Sequence, residues 1–126
     1  MAIVALAGSP SANSRSTALL RHVLAAFPDA TPRPQIVLRD LPAAALLRAD
    51  VDDAAIRRAR EQVAAARRVV IATPIYKAAY SGLLKAFLDL LPQDYALKPV
   101  QRVARALADG LLAPLQGLDV AVVETA

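Results

Sequence analysis

The chain has 126 residues, 56% of them hydrophobic, with 15 Lys+Arg against 11 Asp+Glu for a formal charge of +4 and no cysteine. That length fits one domain, and the 21% charged fraction argues against a disordered chain; the missing thiols exclude cysteine nucleophiles, disulfides and thiolate metal clusters. A single histidine, His22, excludes catalysis by paired imidazoles, so any chemistry must come from backbone, hydroxyls, a few charges or a borrowed cofactor.

In chain order, Ile3–Ala7 is a continuous apolar run halted by Gly8-Ser9-Pro10, the pattern of a strand buried on both faces of a parallel sheet. A helix is expected over residues 14–27, with Leu20, Val23, Leu24 and Phe27 on its core side and His22 in solvent. Pro28, Pro32 and Pro34 then forbid helix, and residues 35–38 form a second strand. Asp52 or Asp53 caps a helix running to about Arg68, its core side marked by Ile56, Ala59, Val63 and Ala66. Its arginines, Arg57, Arg58, Arg60, Arg67 and Arg68, lie among Asp52, Asp53 and Glu61, which suits a solvated face better than a nucleic-acid surface. Aromatics at 4% leave no base-stacking platform.

Residues 69–72 form the third strand, expected to stop at Thr73-Pro74. Ser81 then opens a helix with Leu84, Phe87, Leu88 and Leu91 at helical spacing, closed by Pro92, and a last amphipathic helix is expected over residues 101–112. No apolar run approaches the ~20 residues of a membrane span. The N-terminal residues lack a positive leader, so a cytoplasmic protein is expected.

Alternation of strands and helices with long crossovers points to an α/β fold with a parallel sheet, whose ligands collect at the carboxyl ends of its strands. Only the loops after strands one and three are rich in polar and special-geometry residues. The first, residues 8–17, places Ser9, Ser14, Arg15, Ser16 and Thr17 at a helix start, where free N–H groups and the helix dipole favour an anion such as phosphate. It is neither a Walker A loop nor a Gly-x-Gly-x-x-Gly turn, because Gly8 stands alone. The second, residues 73–82, holds two of the chain's three tyrosines beside Pro74 and Gly82, a setting for a planar aromatic ligand. Taken singly, each loop also fits a bland reading, a capped helix or packed tyrosines. Together they fit one ligand, flavin mononucleotide (FMN), held between strands one and three of a flavodoxin-like sheet of order 2-1-3-4-5.

The residues resemble the NADPH-dependent FMN reductase family, most closely the flavin reductases that serve two-component alkanesulfonate monooxygenases. The resemblance rests on residues 4–10 with Ser14-Arg15-Ser16, on the long block 72–85, and on Asp94-Tyr95-Ala96-Leu97-Lys98-Pro99-Val100. It implies a flavodoxin-like three-layer sandwich in which Ser9, Ser14, Arg15 and Ser16 hold the FMN phosphate. Pro74, Ile75, Tyr76 and Lys77 would line the isoalloxazine, with Ser81 and Gly82 opening the helix behind it. Tyr95 matches the place where these reductases carry an inserted tyrosine that forms a π-bulge at a subunit interface.

The implied activity moves a hydride from NADPH or NADH to FMN, and the reduced FMN passes to a partner monooxygenase. No side-chain acid or base is expected, and Lys77 with backbone N–H groups would stabilise charge developing on the ring. A homodimer or homotetramer is implied too. The alternatives are an FMN-retaining quinone or azo reductase, or a non-catalytic flavodoxin-like binding module. Compared with the family pattern, a single domain over residues 1–126 is short of two segments, at 93/94 and 100/101. Each would carry a strand, so the sheet is expected to lack strands 4 and 5 and to leave the outer edge of strand 3 unpaired.

Overall fold

The computed structural model describes residues 3–27, 32–91, 97–101 and 118–125. Three parallel strands form its centre: β1 (Ile3–Ala7), β2 (Gln35–Val37) and β3 (Arg68–Tyr76), in the order β2-β1-β3. β1 is buried along its whole length, as a strand covered on both faces must be. Its alternate residues serve two separate cores. Val4 and Leu6, with Val69 and Ile71 of β3, pack beneath α2 (Ala43–Arg48), α3 (Ala54–Ala65) and α4 (Gly82–Leu88), where Phe87, Ile56 and Val63 are fully enclosed. Ile3, Ala5 and Ala7, with Val70 and Ala72, pack against Leu20, Val23 and Leu24 of α1 (Arg15–Leu24) on the other face. This is the three-layer α/β sandwich expected from the sequence.

Local chemistry sets the helix ends. Ser14 caps α1, accepting from Thr17 N at 3.0 Å; Asp53, rather than Asp52, caps α3, accepting from Ala55 N and Ile56 N at 2.9 and 3.1 Å. Each such cap stabilises its helix by about 1 kcal/mol. The arginine-rich face of α3 is largely in solvent, but Arg60 is half-buried and its Nε donates to the Leu90 carbonyl at 2.7 Å, tying α3 to the end of α4. α2 is absent from the sequence expectation. It is a short Ala/Leu helix after Pro42, ended by Ala49 in the left-handed conformation (φ 54°) where a glycine would be the usual signal.

Beyond β3 the structure departs from expectation. The outer edge of β3 is paired: β6 (Leu118–Thr125) runs antiparallel along it from Arg68↔Glu124 to Pro74↔Leu118, and β5 (Leu97–Gln101) pairs antiparallel with β6. A long apolar strand buried on both faces cannot leave one row of N–H and C=O groups unmatched, and an antiparallel partner satisfies them as well as a parallel one. Gln101, expected to begin a helix, ends β5; the rest of that expected helix lies outside the described residues, as does Pro92.

β3 also fails to stop at Thr73-Pro74. It continues to Tyr76 and turns back through β4 (Ala79–Tyr80). Among the described residues no helix is long and apolar enough to cross a membrane.

Candidate functional site at the carboxyl ends of β1 and β3

The two loops singled out in the sequence lie side by side, joined by hydrogen bonds. Gly8 N donates to Ala72 O at 2.8 Å, the last backbone rung between β1 and β3, which closes the Ala7↔Ala72 pair. In a parallel ladder the next rung would run from the N–H of residue 74 to the Gly8 carbonyl. Residue 74 is proline and has no N–H. The Ser81 hydroxyl supplies the missing donor, reaching Gly8 O at 2.5 Å, while the same Oγ accepts from Leu84 N at 3.1 Å and caps α4. Thr73 Oγ1 accepts from Ser81 N at 3.0 Å and donates to the Pro74 carbonyl at 2.9 Å. Thr73 and Ser81 are both buried.

In the first loop, Ser9 is buried and its Oγ accepts from Ser11 N at 3.1 Å, folding the turn. Ser14 is half-buried at the start of α1, and its hydroxyl pairs with that of Ser16 at 2.8 Å. Ser16 itself is only 1% exposed, so it stands behind Ser14. Arg15 is exposed on the first residue of the helix, and no acidic side chain occupies the first turn. The positive end of the helix is thus not offset by its own residues, and hydroxyls and a guanidinium surround it. That donor set suits a phosphate monoester.

The second loop is a two-residue hairpin. Lys77 and Ala78 both have positive φ (51° and 62°), the mirror-image turn that matches the twist of paired strands. The hairpin carries Ile75, Tyr76 and Tyr80 into solvent at 41%, 48% and 46% exposure, with Ile75 directly across from Tyr80. Ile75 and Tyr80 therefore share one face of the hairpin, whereas Tyr76, next along the strand, lies on the other. An exposed shelf of one aliphatic and one aromatic side chain suits the face of a planar ring. Pro74 is buried at its base, and Gly82 is exposed with open space where a side chain would be. Beside it, Lys85 on α4 donates to Asp89, four residues on. That hydrogen bond holds the Lys85 ammonium above its usual pKa, and the nearby Tyr80 adds to the effect.

The structure therefore brings Ser9, Ser14, Arg15, Ser16, Pro74, Ile75, Tyr76, Lys77, Ser81 and Gly82 to one rim. It divides them by exposure: Ser14, Arg15, Ile75, Tyr76, Lys77 and Gly82 have exposed surface, whereas Ser9, Ser16, Pro74 and Ser81 are enclosed. Tyr95 lies outside the described residues. Three further residues belong to the site. Thr73 and Gly8 read in the sequence only as the end of one strand and the turn after another, and Tyr80 as an unassigned loop aromatic. The proline after Thr73 marks a missing backbone donor, but the side chain that replaces it is that of Ser81, and nothing local marks Thr73 itself.

The profile of the NADPH-dependent FMN reductase family matches residues 1–123. The chain belongs to this family. It is similar to proteins named FMN reductase (NADPH) from Pseudomonas putida and Escherichia coli K12, at 35% identity to each over 130 aligned positions. Those matches cover 84% of this chain and 66% and 68% of the two relatives, so the chain spans about two thirds of their length. A solved apo structure of an NADH:FMN oxidoreductase is 46% identical, with a TM-score of 0.69 over 73% of this chain and 50% of that one. Membership of the FMN reductase family and the structural likeness agree with the flavodoxin-like fold and with FMN and a nicotinamide dinucleotide as the family's ligands.

Proposed function

We propose that the protein is an NAD(P)H:FMN oxidoreductase that binds FMN across the two joined loops. The observation that carries this reading is the direct bond between them: an anion-binding helix start and an exposed aromatic shelf are fixed side by side by the Ser81–Gly8 contact. Ser14 and Arg15 bind the phosphate, Ser16 orients Ser14 through the hydroxyl pair, and buried Ser9 shapes the loop around the anion by accepting from Ser11 N. Ile75 presents an apolar face to the ring with Tyr80 beside it, and the turn through Tyr76 and Lys77 lines the ring with its backbone and one cation. FMN so bound supplies the acceptor for a hydride from the nicotinamide. The shelf excludes water from one ring face, and the loop N–H groups with Lys77 favour negative charge at the ring edge. No side chain of the rim needs to carry a proton.

Reduced FMN then passes to a partner monooxygenase, of the kind that cleaves alkanesulfonates, and the protein acts in the cytoplasm as a homodimer or homotetramer with Tyr95 at a subunit interface. The shelf's exposure supports release of the flavin. We read residues 1–126 as one flavin-binding domain short of family segments at 93/94 and 100/101. Support comes from the alignments, which span 130 positions, more than the chain's 126 residues, so gaps fall on this chain's side.

The test is oxidation of NADPH and of NADH with added FMN, together with an FMN titration followed by flavin fluorescence. FMN-dependent oxidation and flavin lost on dialysis support the transfer reductase. Flavin retained through dialysis favours a quinone or azo reductase, and binding without oxidation a non-catalytic module.

A further inference from the structure

We infer that Thr73 and Ser81 are positioning residues that set the spacing between the phosphate loop and the ring shelf, and so make FMN bind as one ligand with two coupled ends. The inference rests on the FMN reading above. Neither hydroxyl is available to a ligand: Ser81 is 1% exposed with its Oγ engaged by Gly8 O and Leu84 N, and Thr73 is 5% exposed between Ser81 N and Pro74 O. Yet the four groups they hold are the carbonyl that opens the phosphate loop, the carbonyl that opens the ring shelf, and two N–H groups at the start of α4. The backbone alone cannot make this tie, because Pro74 removes the rung that would close it.

The energetic consequence follows from linkage of two contacts in one ligand. When two subsites are held at the ligand's own span, the second contact forms at a high effective concentration; when their spacing drifts, that advantage is lost without loss of either contact. Cutting the tie should therefore weaken FMN, which uses both loops, far more than riboflavin, which lacks the phosphate and uses only the shelf.

The experiment titrates FMN and riboflavin, by fluorescence, against the wild-type chain and the variants Thr73→Val, Thr73→Ser, Ser81→Ala and Ser81→Ala with Pro74→Ala. Circular dichroism and thermal melts establish that each is folded. The wild type should prefer FMN by at least about tenfold, and Thr73→Val and Ser81→Ala should reduce that preference to about threefold or less with riboflavin affinity nearly unchanged. Thr73→Ser keeps the hydroxyl and should keep the preference. Pro74→Ala in the Ser81→Ala background returns an N–H to the rung and should restore part of it, and because the readout is a ratio, any change in ring packing at position 74 cancels.

Equal losses for both flavins, or an unchanged FMN preference in Thr73→Val and Ser81→Ala, would overturn the inference while leaving the FMN reading intact. A wild-type chain that binds neither flavin overturns both. Should Ser81→Ala not fold, the contrast between Thr73→Val and Thr73→Ser still decides the matter.

Discussion

Gly8 and Leu84 approach so closely that a methyl group on the glycine would stand 3.3 Å from the leucine Cβ. The same methyl would meet the Ala72 carbonyl oxygen at 3.1 Å and the Thr73 Cβ at 3.4 Å. Backbone, a strand side chain and a helix side chain thus converge where the phosphate loop leaves the sheet. Gly8→Ala must push α4 or the loop aside, and overpacking of this kind costs about 1–3 kcal/mol. Urea unfolding should show that loss, and FMN titration a weaker affinity, since the displaced atoms carry both loops. An alanine variant as stable as wild type would mean the contact yields without strain.

Ala78 gives a prediction of opposite sign. Its φ of 62° is a conformation L-residues enter at a cost, imposed here by the hairpin turn. Ala78→Gly should stabilise the protein by about 0.5–1 kcal/mol, the strain relieved exceeding the added freedom of the unfolded chain. A higher midpoint in urea checks it, and a lower one would show that the turn is less strained than its angles imply.

Arg15→Ala removes the guanidinium from the start of α1. A charge-assisted hydrogen bond to phosphate contributes about 1.5–3 kcal/mol, so FMN affinity should fall roughly tenfold or more. Riboflavin affinity should not change. Added salt should weaken FMN binding to the wild type more than to the variant. Equal FMN affinity in both proteins would remove Arg15 from the phosphate site.

The Lys85–Asp89 pair sets a pH dependence. The hydrogen bond from Lys85 to Asp89 raises the lysine above its ordinary 10.5. A raised folded-state value means the contribution is complete below the unfolded value and fades as pH climbs through the folded one. The pair is exposed, so its effect is small. Thermal melts of wild type and Asp89→Asn should keep a constant small difference at neutral pH that narrows only in strongly alkaline solution. A difference that vanished near neutrality would contradict the assignment.

Much of this was legible in the sequence because it depended on local pattern. The apolar run at Ile3–Ala7 announced a fully covered strand, the hydroxyls of Ser14 and Ser81 announced helix caps, and both loops announced themselves through residues with no place in a strand or helix core. What stayed hidden depended on partners distant in the chain. The end of β3 was misjudged because Pro74 usually breaks a strand; here the neighbouring strand β1 has already ended, and a side chain takes over the lost rung. α2 was missed because its six residues, AAALLR, show no helical period and no terminal glycine. The partner of β3 is not legible locally, because Leu118–Thr125 pairs antiparallel with a strand some fifty residues earlier, where the α/β pattern implies a parallel neighbour. The resemblance puts Ser81 at the opening of the helix behind the ring, where the structure has it as a buried cap; its bond to Gly8 O depends on a partner 73 residues away.

The hydroxyl that closes the last rung between β1 and β3 has a consequence for how such a rim can change. A backbone rung is the same whatever the residue, so no substitution removes it except proline. A side-chain rung is set by a single codon. Exchanging the residue at position 81 can lengthen, weaken or delete the tie while the strands below keep every one of their own hydrogen bonds, which makes the gap between the two loops adjustable in one mutational step without refolding the sheet that carries them.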